Sequence, residues 1–533
     1  MGGTEQRWEP VCRLEEIPPG RGLRRSVNGA DLALMRDDGD RVFAIGNECP
    51  HRGGQLADGR VEGGRAICPL HAWDFDLLTG ISPYDPRDRV PAYPARVVDG
   101  VVEVDAAAVP AAPPRPAGYL GEWTRRGADD RGMHLVHLLA GGGAAPVEAM
   151  GTLRTEPASQ RGRTVPTLDD LVFRPAQLDR LPLLGDVPVD TSVVLGTRAR
   201  RPLRLDIPLF VSHMSFGALS AEAKEALARG ATAAGTAIAS GEGGAHPRER
   251  ENADRYIVEL ASGRFGWSAE QAAAADAIEI KIGQGAKPGL GGTLPGRKVT
   301  PAIAAVRGVA PGTTVHSPAR LTDVNSPADL RRLVDEVRAM GGGVPVAIKF
   351  AAGAVERDLA VAVEAGADWV TVDGLGGGTG AAPTHVKDHV GIPSVMGLVR
   401  ARAWMEREGV QDVQLVVTGG FRTPDEMAKA LALGADAVAV ATAGLMAAGC
   451  QQYRACHAGT CPVGLATQDP VLRERLDVEE SARRVARFLT AATALMTDYA
   501  RICGRDRLAG LDREDLVSLN RDLADRAGLE WVL

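Results

Sequence analysis

Two pairs of cysteine and histidine lie near the start of the chain, in the stretch CPHRGGQLADGRVEGGRAICPLH that covers residues 49–71. The first pair is Cys49 and His51, and the second is Cys68 and His71. Thiolate sulfur and imidazole nitrogen are common metal ligands, and a structural zinc site uses two of each. Finger-type zinc sites place both cysteines before both histidines, whereas each arm here carries one of each. The pattern therefore favours a metal centre to which each of two loops donates one cysteine and one histidine.

The residues that flank these pairs carry a specific resemblance. The segments CPHRGGQL and CPLHAWDFDLLTG are similar to the cluster-binding loops of Rieske ferredoxin domains. In a Rieske [2Fe-2S] cluster, a cysteine pair holds one iron and a histidine pair holds the other. The resemblance implies that Cys49, His51, Cys68 and His71 are all committed to such a cluster. Neither loop has a further cysteine, so the disulfide of respiratory Rieske proteins is not expected.

A second group of cysteines lies near the other end of the chain. Cys450, Cys456 and Cys461 occur in GCQQYRACHAGTCPVG, with five and four residues between them. Three thiolates without a nearby fourth suit a [3Fe-4S] cluster, while a zinc site with His457 as fourth ligand is the alternative. Tight, well-separated cysteine clusters of this kind indicate metal or redox centres rather than a disulfide framework.

Short β-branched runs repeat through the second half of the chain, and they must position any site there. Several intervening segments carry helix signals, such as Ser220 as an N-cap and Ser326 followed by Pro327. Eight strand–helix units with near-continuous apolar strands predict the α/β class and a (β/α)8 TIM barrel, with an open doubly wound sheet as the alternative. The predicted strands are residues 206–215, 236–242, 277–282, 313–318, 344–350, 367–374, 413–420 and 435–443.

The part of the chain before the barrel has a different composition. Residues 8–105 alternate β-rich runs with Gly, Pro and Asp turns, which predicts a small all-β domain. The predicted domains are a Rieske domain at 1–105, a Pro/Ala-rich linker at 106–119, a pre-barrel segment at 120–200, and the barrel with C-terminal helices at 201–533.

The glycine-rich segment GLGGGTG follows the sixth predicted strand, TGG closes the seventh, and AT closes the eighth. Barrel active sites lie at the carboxyl ends of the strands, with phosphate held by loops after late strands. Glycines let backbone N–H groups approach a phosphate, and threonine hydroxyls add donors. The predicted phosphate-binding residues are Gly377, Gly378, Thr379, Gly419, Gly420, Ala441 and Thr442.

Residues 170–510 contain long motifs that resemble the FMN domain of the glutamate synthase family. These motifs include MSFGALSAEAKEAL, SGEGG, EIKIGQGAKPGLGGTLPGRKV, VDGLGGGTGAAP, TGGFRTP and the three-cysteine segment. The resemblance implies a (β/α)8 barrel that holds FMN over its C-terminal mouth, with a [3Fe-4S] cluster ligated by Cys450, Cys456 and Cys461 beside the flavin.

The resemblance also assigns residues to the flavin. It implies that Met214 and Ser215, at the end of the first strand, and Gln284, after the third, lie along the flavin ring. Lys349, at the end of the fifth strand, is expected near the flavin N1 side, where its charge stabilises the reduced ring.

Substrate-side residues follow from the same resemblance. Glu242, Lys281, Lys287 and Arg307 are the candidates, because cations suit a substrate that bears a carboxylate. For Arg307 a helical salt bridge is the alternative. With Lys349, the residues Glu242, Lys281 and Arg307 form the predicted catalytic set.

The sequence departs from the family in the substrate-facing loops. Leu290 and Thr293 occur where Glu and Gln are usual, Gly376 occurs where an acidic residue is usual, and His316 replaces a common apolar residue. Glutamate synthases also begin with a glutaminase domain and its cysteine nucleophile, and no Cys follows Met1 here. We therefore expect the flavin site to be retained and the glutamine-dependent reaction to be lost.

These observations predict an FMN and iron-sulfur oxidoreductase of the glutamate synthase type. Electrons are expected to pass between the Rieske cluster, the [3Fe-4S] cluster and FMN, and the flavin to reduce or oxidise a small substrate such as an imine or amino acid. Because no Rossmann fingerprint is visible, we expect an external electron-transfer partner, either a ferredoxin or a reductase. The sequence leaves open the direction of electron flow and whether the chain forms a homo-oligomer.

Two other functions use some of the same features. A Rieske-type oxygenase needs a mononuclear iron held by two histidines and a carboxylate, and His385 and His389 have one-turn spacing. They lie in a barrel loop beside the predicted phosphate site, which disfavours this alternative. The second alternative is a non-catalytic electron-transfer subunit, against which the glycine-rich rim and Lys349 argue.

Composition restricts the partners and the location. The 533-residue chain is 45% hydrophobic and 24% charged, with a formal net charge of -7 and no basic stripe, so nucleic acid is not an expected partner. The first residues lack a signal-peptide pattern, and the most apolar window, 431–449, contains Asp436 and three glycines. The sequence therefore predicts a cytoplasmic location without membrane association.

Overall fold

The computed structural model describes residues 6–50, 54–69, 72–83, 88–111, 165–380, 382–450 and 456–533. The chain divides into two compact units, Met1–Ala145 and Pro146–Leu533. Most of the predicted linker and much of the pre-barrel segment lie outside the described residues, so the predicted domain boundaries at 105, 119 and 200 stay a prediction.

The described part of the first unit consists of antiparallel strands, as the turn-rich sequence predicted. The strand orders are β2-β3-β4-β8, β1-β10-β9 and β5-β6-β7. Trp73 and Phe75 are both buried in this unit. The strands are β1 (Trp8–Arg13), β2 (Gly22–Val27), β3 (Ala30–Arg36), β4 (Val42–Gly46), β5 (Arg60–Glu62), β6 (Arg65–Ile67), β7 (Asp74–Asp76), β8 (Ala92–Tyr93), β9 (Ala95–Val98) and β10 (Val101–Asp105).

The second unit contains a closed barrel of eight parallel strands, which confirms the predicted fold class. Three short strands precede it along the chain: β11 (Leu171–Phe173), β12 (Val193–Leu195) and β13 (Leu203–Leu205). The barrel strands are β14 (Leu209–Val211), β15 (Ile238–Ala239), β16 (Tyr256–Leu260), β17 (Ala277–Lys281), β20 (Val346–Ala351), β21 (Trp369–Asp373), β22 (Gln414–Thr418) and β23 (Ala437–Val440). The remaining strands are β18 (Thr293–Leu294), β19 (Val315–His316), β24 (Leu516–Ser518) and β25 (Glu530–Trp531).

One predicted barrel strand was wrong and another was missed, so the count of eight was correct through two compensating errors. Residues 313–318 contribute only β19, which pairs with β18 in a separate two-stranded sheet. The third barrel strand is β16, which the sequence analysis did not predict. Gln284 therefore follows the fourth barrel strand rather than the third.

Alternation along the strands separates an apolar layer from a polar one inside the barrel. Because side chains on a strand alternate between its two faces, residues two apart share the barrel interior. Ile257, Ala277, Ala347, Trp369 and Val416 belong to one buried cluster, and the apolar residues between the strands and the helices belong to another. Two residues further along their strands come Glu259, Glu279, Lys349, Thr371 and Thr418. The polar layer thus lies above an apolar floor, toward the carboxyl ends of the strands.

Helices cover the outside of the barrel. Ser220 accepts a hydrogen bond from the backbone of Ala223, and Ser326 accepts one from Asp329, as expected for N-caps. In the described part of the chain, no helix is both long and apolar enough to cross a membrane. The helices are α1 (Ala221–Ala233), α2 (Pro247–Glu251), α3 (Ala269–Ala273), α4 (Pro301–Arg307), α5 (Pro327–Met340), α6 (Val355–Glu364), α7 (Thr384–His389), α8 (Ser394–Arg407), α9 (Pro424–Ala432), α10 (Thr442–Ala447), α11 (Pro470–Arg473), α12 (Val478–Ile502) and α13 (Arg521–Ala527).

Candidate active site and cluster-binding loops

A cleft opens at the carboxyl ends of the barrel strands and encloses about 1170 Å³ of space, including its open mouth. The predicted catalytic and flavin-binding residues converge on this cleft from all around the barrel. Those that line it are Met214, Ser215, Glu242, Lys281, Gln284, Arg307, Lys349, Gly377, Gly378, Thr379, Gly419, Gly420, Ala441 and Thr442.

The glycine-rich loops after β21 and β22 pack backbone against backbone on one side of the cleft. Gly419 has φ +110°, and a Cβ built there would lie 2.5 Å from the carbonyl oxygen of Gly374. The Ser394 hydroxyl donates to the Gly419 carbonyl at 2.5 Å, which holds the two loops to the start of α8. Only glycine fits both this backbone conformation and this approach. The arrangement places the backbone of both loops in the wall of the cleft.

Lys281 forms the centre of an ion-pair network on the opposite side of the cleft. Its Nζ lies 2.9 Å from Glu259 Oε1 and 3.2 Å from Glu242 Oε2. Lys287 Nζ lies 3.6 Å from the same Glu242 oxygen. Burial alone would lower the pKa of Lys281, but the two carboxylates outweigh it and raise the pKa well above its ordinary value. Burial would likewise raise the pKa of Glu242, but Lys281 and Lys287 hold it well below its usual range. Lys281 and Glu242 are therefore charged at neutral pH.

Lys349 extends the polar layer to the neighbouring strand. It pairs with Lys281 in the parallel register of β17 and β20, so both side chains enter the barrel mouth together. Lys349 is 3% exposed, and its Nζ lies 3.5 Å from Asp373 Oδ2 on β21. The carboxylate on β21 thus partly compensates the buried cation, as the cost of burying an unpaired charge demands.

Arg307 lies at the end of α4 and turns inward. Its guanidinium is buried, donates Nη2 to the carbonyl of Phe216 at 3.0 Å, and lies over the Phe265 ring. Burial lowers the pKa of Arg307. No carboxylate among the described residues lies within 4.0 Å of it, so the helical salt bridge considered from the sequence is not the role of this arginine there.

Two of the sequence departures meet at the rim of the cleft. Thr293 on β18 and His316 on β19 are paired residues, and Thr293 Oγ1 lies 3.0 Å from His316 Nδ1. Thr293 also lines the cleft, next to Gly292 and Leu294. These two departures therefore alter the wall of the cleft near Lys287, whereas Gly376, a third departure, lies in the glycine-rich loop after β21.

The sequence analysis missed a buried group at the bottom of the cleft. His213, which lines the cleft directly after β14, has Nε2 3.4 Å from Glu279 Oε1 and 3.9 Å from Glu259 Oε2. Thr371 Oγ1 donates to the other Glu279 oxygen at 2.6 Å. Burial lowers the pKa of His213 well below its ordinary value, with help from Lys349. The available sequence signal was a pair of carboxylates within strands that are otherwise apolar.

A second buried ion pair connects the loops that follow β14 and β15. Lys224 on α1 donates to the carbonyls of Met214 at 2.5 Å and Ser240 at 2.7 Å, and it pairs with Glu249 at 2.5 Å. The Tyr256 hydroxyl donates to Glu249 at 2.8 Å. Burial lowers the pKa of Lys224 and raises that of Glu249 to about 7. The lysine thus joins the first two strand ends of the barrel from behind the cleft.

The three-cysteine segment lies against the glycine-rich loop. A Cβ built on Gly380 would lie 3.2 Å from the Cβ of Cys456. Lys298 donates to the carbonyls of Cys456 and His457, at 2.9 and 2.7 Å. Cys461 belongs to the buried core cluster, and Cys450 and Cys456 pack against that cluster. A cluster bound here would therefore lie beside the loop that borders the cleft.

Geometry does not test the metal ligands directly. Within the described ranges, no group of three or more Cys, His, Asp or Glu side chains is arranged to hold a metal ion, and this includes His385 and His389. Residues 451–455, between the first two cysteines of the segment, are not among the described residues. The ligand assignment of the three cysteines stays a prediction.

The two predicted Rieske loops begin at buried cysteines. The backbone N–H of Cys49 donates to the Gly54 carbonyl, and that of Cys68 donates to the Trp73 carbonyl, so each cysteine closes a short loop. Both cysteines are at most 2% exposed. The predicted ligands His51 and His71 lie within these loops and outside the described residues.

Comparisons with known proteins identify both units. Residues 163–506 match the conserved region in glutamate synthase, and residues 7–94 match the Rieske [2Fe-2S] domain. A glutamate synthase large subunit-like protein from Rhizobium meliloti is 40% identical over 394 residues, covering 69% of this chain and 89% of that protein. The chain belongs to the glutamate synthase family, and it carries a Rieske [2Fe-2S] domain.

Further relatives match only part of their own length. The archaeal-type glutamate synthase [NADPH] of Thermotoga maritima is 45% identical over 305 residues, covering 57% of this chain and 60% of that protein. The archaeal glutamate synthase [NADPH] of Methanocaldococcus jannaschii is 42% identical over 330 residues, covering 60% of this chain and 65% of that protein. The predicted family is confirmed, and the predicted class of oxidoreductase agrees with these relatives.

Proposed function

We propose that the chain is an FMN and iron-sulfur oxidoreductase of the glutamate synthase type that acts on the C–N bond of a small substrate. Electrons pass between the Rieske cluster, a [3Fe-4S] cluster and FMN, and the flavin supplies the two-electron step on a carbon–nitrogen double bond or on an amine. The convergence of every predicted catalytic and flavin-binding residue on one cleft carries this proposal.

The residues of the cleft fit a flavin phosphate and ring. The glycine-rich loops leave no room for a Cβ at Gly419, and the cleft is lined there by backbone and by Thr379 and Thr442. Met214, Ser215 and Gln284 line the same cleft as Lys349, whose charge suits a ring that becomes anionic on reduction. FMN bound in this position supplies hydride chemistry, while the chain positions the reactants and moves protons.

The charges of the cleft favour a substrate that bears a carboxylate. Lys281 is neutralised by two carboxylates and Lys349 by one. Lys287 shares Glu242 at a longer distance, and Arg307 has no carboxylate partner among the residues described here. These two cations are the least compensated and bind the substrate carboxylate, while Glu242 orients a substrate nitrogen.

The three-cysteine segment supports an electron path to the cleft. Cys456 packs against Gly380, at the end of the glycine-rich loop, so a [3Fe-4S] cluster on Cys450, Cys456 and Cys461 lies within a few side chains of the flavin site. Iron-sulfur clusters carry single electrons, so the flavin couples them to the two-electron substrate reaction. An external ferredoxin or reductase exchanges electrons with the chain.

Cofactor analysis of the purified full chain tests the assignment. We expect one FMN on denaturation and about five iron atoms, the sum of a [2Fe-2S] and a [3Fe-4S] cluster. Excess iron without flavin would overturn the proposal in favour of a Rieske-type oxygenase. Both clusters without flavin would identify a non-catalytic electron-transfer subunit instead.

Substrate class is tested by following the flavin absorbance anaerobically with two panels. Amino and N-alkylamino acids are mixed with oxidised protein, and 2-oxo acids with ammonia or small amines are mixed with reduced protein. We expect a flavin response to one panel and a KM at least about tenfold higher in Arg307→Met, as for the loss of a charge-assisted contact. Matching amines without a carboxylate serve as controls, and an equal response to them would refute the carboxylate assignment.

A further inference from the structure

Four buried polar atoms at the bottom of the cleft have no hydrogen-bond partner among the described residues. They are both ring nitrogens of His213, Oε2 of Glu259 and Oε1 of Glu279. The imidazole lies between the two carboxylates, 3.4 Å from one and 3.9 Å from the other, and its side chain is 5% exposed. Buried polar groups are normally satisfied, so these four atoms together require an explanation.

Neither a metal ion nor an ion pair explains the arrangement. The described side chains around His213 do not form a metal-binding group. Lys281 is directed to the other oxygen of Glu259 and to Glu242, and Lys349 lies against Asp373. A proton held between His213 Nε2 and Glu279 Oε1, which lie 3.4 Å apart, would satisfy one atom of each side chain.

We propose that His213 and Glu279 share a stored proton and form the acid–base pair that supplies the cleft with protons. This inference rests on the proposed function, because it assigns the proton source of that reaction. His213 is the member that lines the cleft, and Glu279 is the reservoir behind it.

The proton balance of the proposed reaction requires such a source. Reduction of a carbon–nitrogen double bond to an amine takes two electrons and two protons. Iron-sulfur clusters bring electrons alone, so the protons come from the chain or from water. For one of these protons, Glu279 gives the proton on Oε1 to His213 Nε2, and His213 releases the proton on Nδ1 into the cleft; the other proton comes from water. Glu279 is left as a carboxylate, and an amine oxidation runs the same transfer backwards.

The surrounding charges suit this exchange. Burial raises the pKa of Glu279 to about 7, although Lys349 and the hydrogen bond from Thr371 oppose the rise. The imidazole faces cations from three elements, Lys224 on α1, Lys281 on β17 and Lys349 on β20, and these disfavour a second proton on the ring. The facing carboxylates are Glu259 on β16 and Glu279 on β17, with Asp373 on β21 behind Lys349. A neutral imidazole beside a half-protonated carboxyl group can accept a proton on one side and release one on the other, as proton transfer requires.

Infrared spectroscopy of the full chain at neutral pH tests the pair without substrate or turnover. We expect a carbonyl band from a protonated carboxylic acid that shifts in D₂O. The Glu279 component of the band should vanish in Glu279→Gln, which keeps the acceptor for Thr371, and should change frequency in His213→Asn because its partner is lost. Glu249 is the second buried carboxyl with a raised pKa, so Glu249→Gln is the matched control and should leave this band in place.

The outcomes separate this inference from the proposed function. A band that is unchanged in Glu279→Gln, or that loses intensity only in Glu249→Gln, overturns the inference even if FMN and both clusters are present. A band that behaves as expected in a protein without flavin supports the pair and refutes the proposed function. With FMN bound, Glu279→Gln should slow flavin reduction or oxidation by substrate by about 100-fold, as for a lost general acid, and unchanged rates would refute the role.

Discussion

Replacement of Lys224 by methionine should destabilise the barrel strongly, because it removes one partner of a fully buried ion pair. Lys224 and Glu249 are at most 1% exposed, and the lysine also satisfies the carbonyls of Met214 and Ser240. Loss of one buried partner costs about 3–5 kcal/mol. At about 2 °C per kcal/mol for large domains, the melting temperature should fall by roughly 6–10 °C.

Differential scanning fluorimetry, read together with the FMN retained on gel filtration, measures this effect. Lys429→Met is the matched control, since Lys429 pairs with a partly exposed Asp425 on its own helix and should cost under about 1 kcal/mol. The double change Lys224→Met and Glu249→Gln should recover at least half of the loss, because no unpaired charge then remains buried. Equal melting temperatures for Lys224→Met and Lys429→Met would refute the reasoning.

The pH dependence of the same variant has a definite sign. Burial raises the pKa of Glu249 to about 7 in the folded chain. A carboxyl whose pKa is raised on folding costs stability as the pH rises from its unfolded value, about 4.3, to its folded value. Without Lys224 the pKa of Glu249 is raised further. The loss of stability in Lys224→Met, relative to the unchanged chain, should therefore grow from pH 5 to pH 8. A deficit that shrinks over this range would contradict the assignment.

Three further changes test the cleft and the cluster segment. Cys456→Ala should abolish the [3Fe-4S] EPR signal of oxidised protein and spare the Rieske g-values of reduced protein; loss of both signals would refute two independent clusters. Gly419→Ala should reduce FMN content at least about tenfold, because its Cβ would meet the Gly374 carbonyl, whereas Gly409→Ala, with positive φ and open space, should not. Lys298→Met should change the line shape of the [3Fe-4S] signal at unchanged iron content, since it removes two bonds to the cluster segment; an identical spectrum would contradict that contact.

The barrel could be predicted because most of its strands are apolar on both faces. The exception was β16, whose sequence YIVEL is no less apolar than the AIEIK of β17, a strand that was predicted. Residues 313–315 are β-branched, but strand propensity does not specify which sheet a strand joins. The short pairing of β19 with β18 depends on a contact between distant loops that no local pattern encodes.

The rim of the cleft could be predicted and its interior could not. Glycines at strand ends have a local reason that the sequence displays, namely a close backbone approach. The roles of His213, Glu259 and Glu279 depend on which strands are neighbours around the barrel. Only the closed order brings β14, β16 and β17 to one buried point. A carboxylate inside an apolar strand was the available signal, and it indicates an inward-facing polar group that burial must compensate.

The polar layer also explains why the barrel tolerates so many buried charges. Lys281 and Lys349 enter beside each other on adjacent strands, and like charges at that separation would repel strongly in a low-dielectric interior. Each is compensated by a carboxylate from a neighbouring strand or loop, which leaves a ring of alternating charge around His213. In the proposed reaction, compensated charges of this kind need not reorganise when electrons arrive one at a time. A charge added at the cleft is then balanced most readily by the movement of a proton. In the described part of the barrel, we assign that mobile proton to the pair of His213 and Glu279.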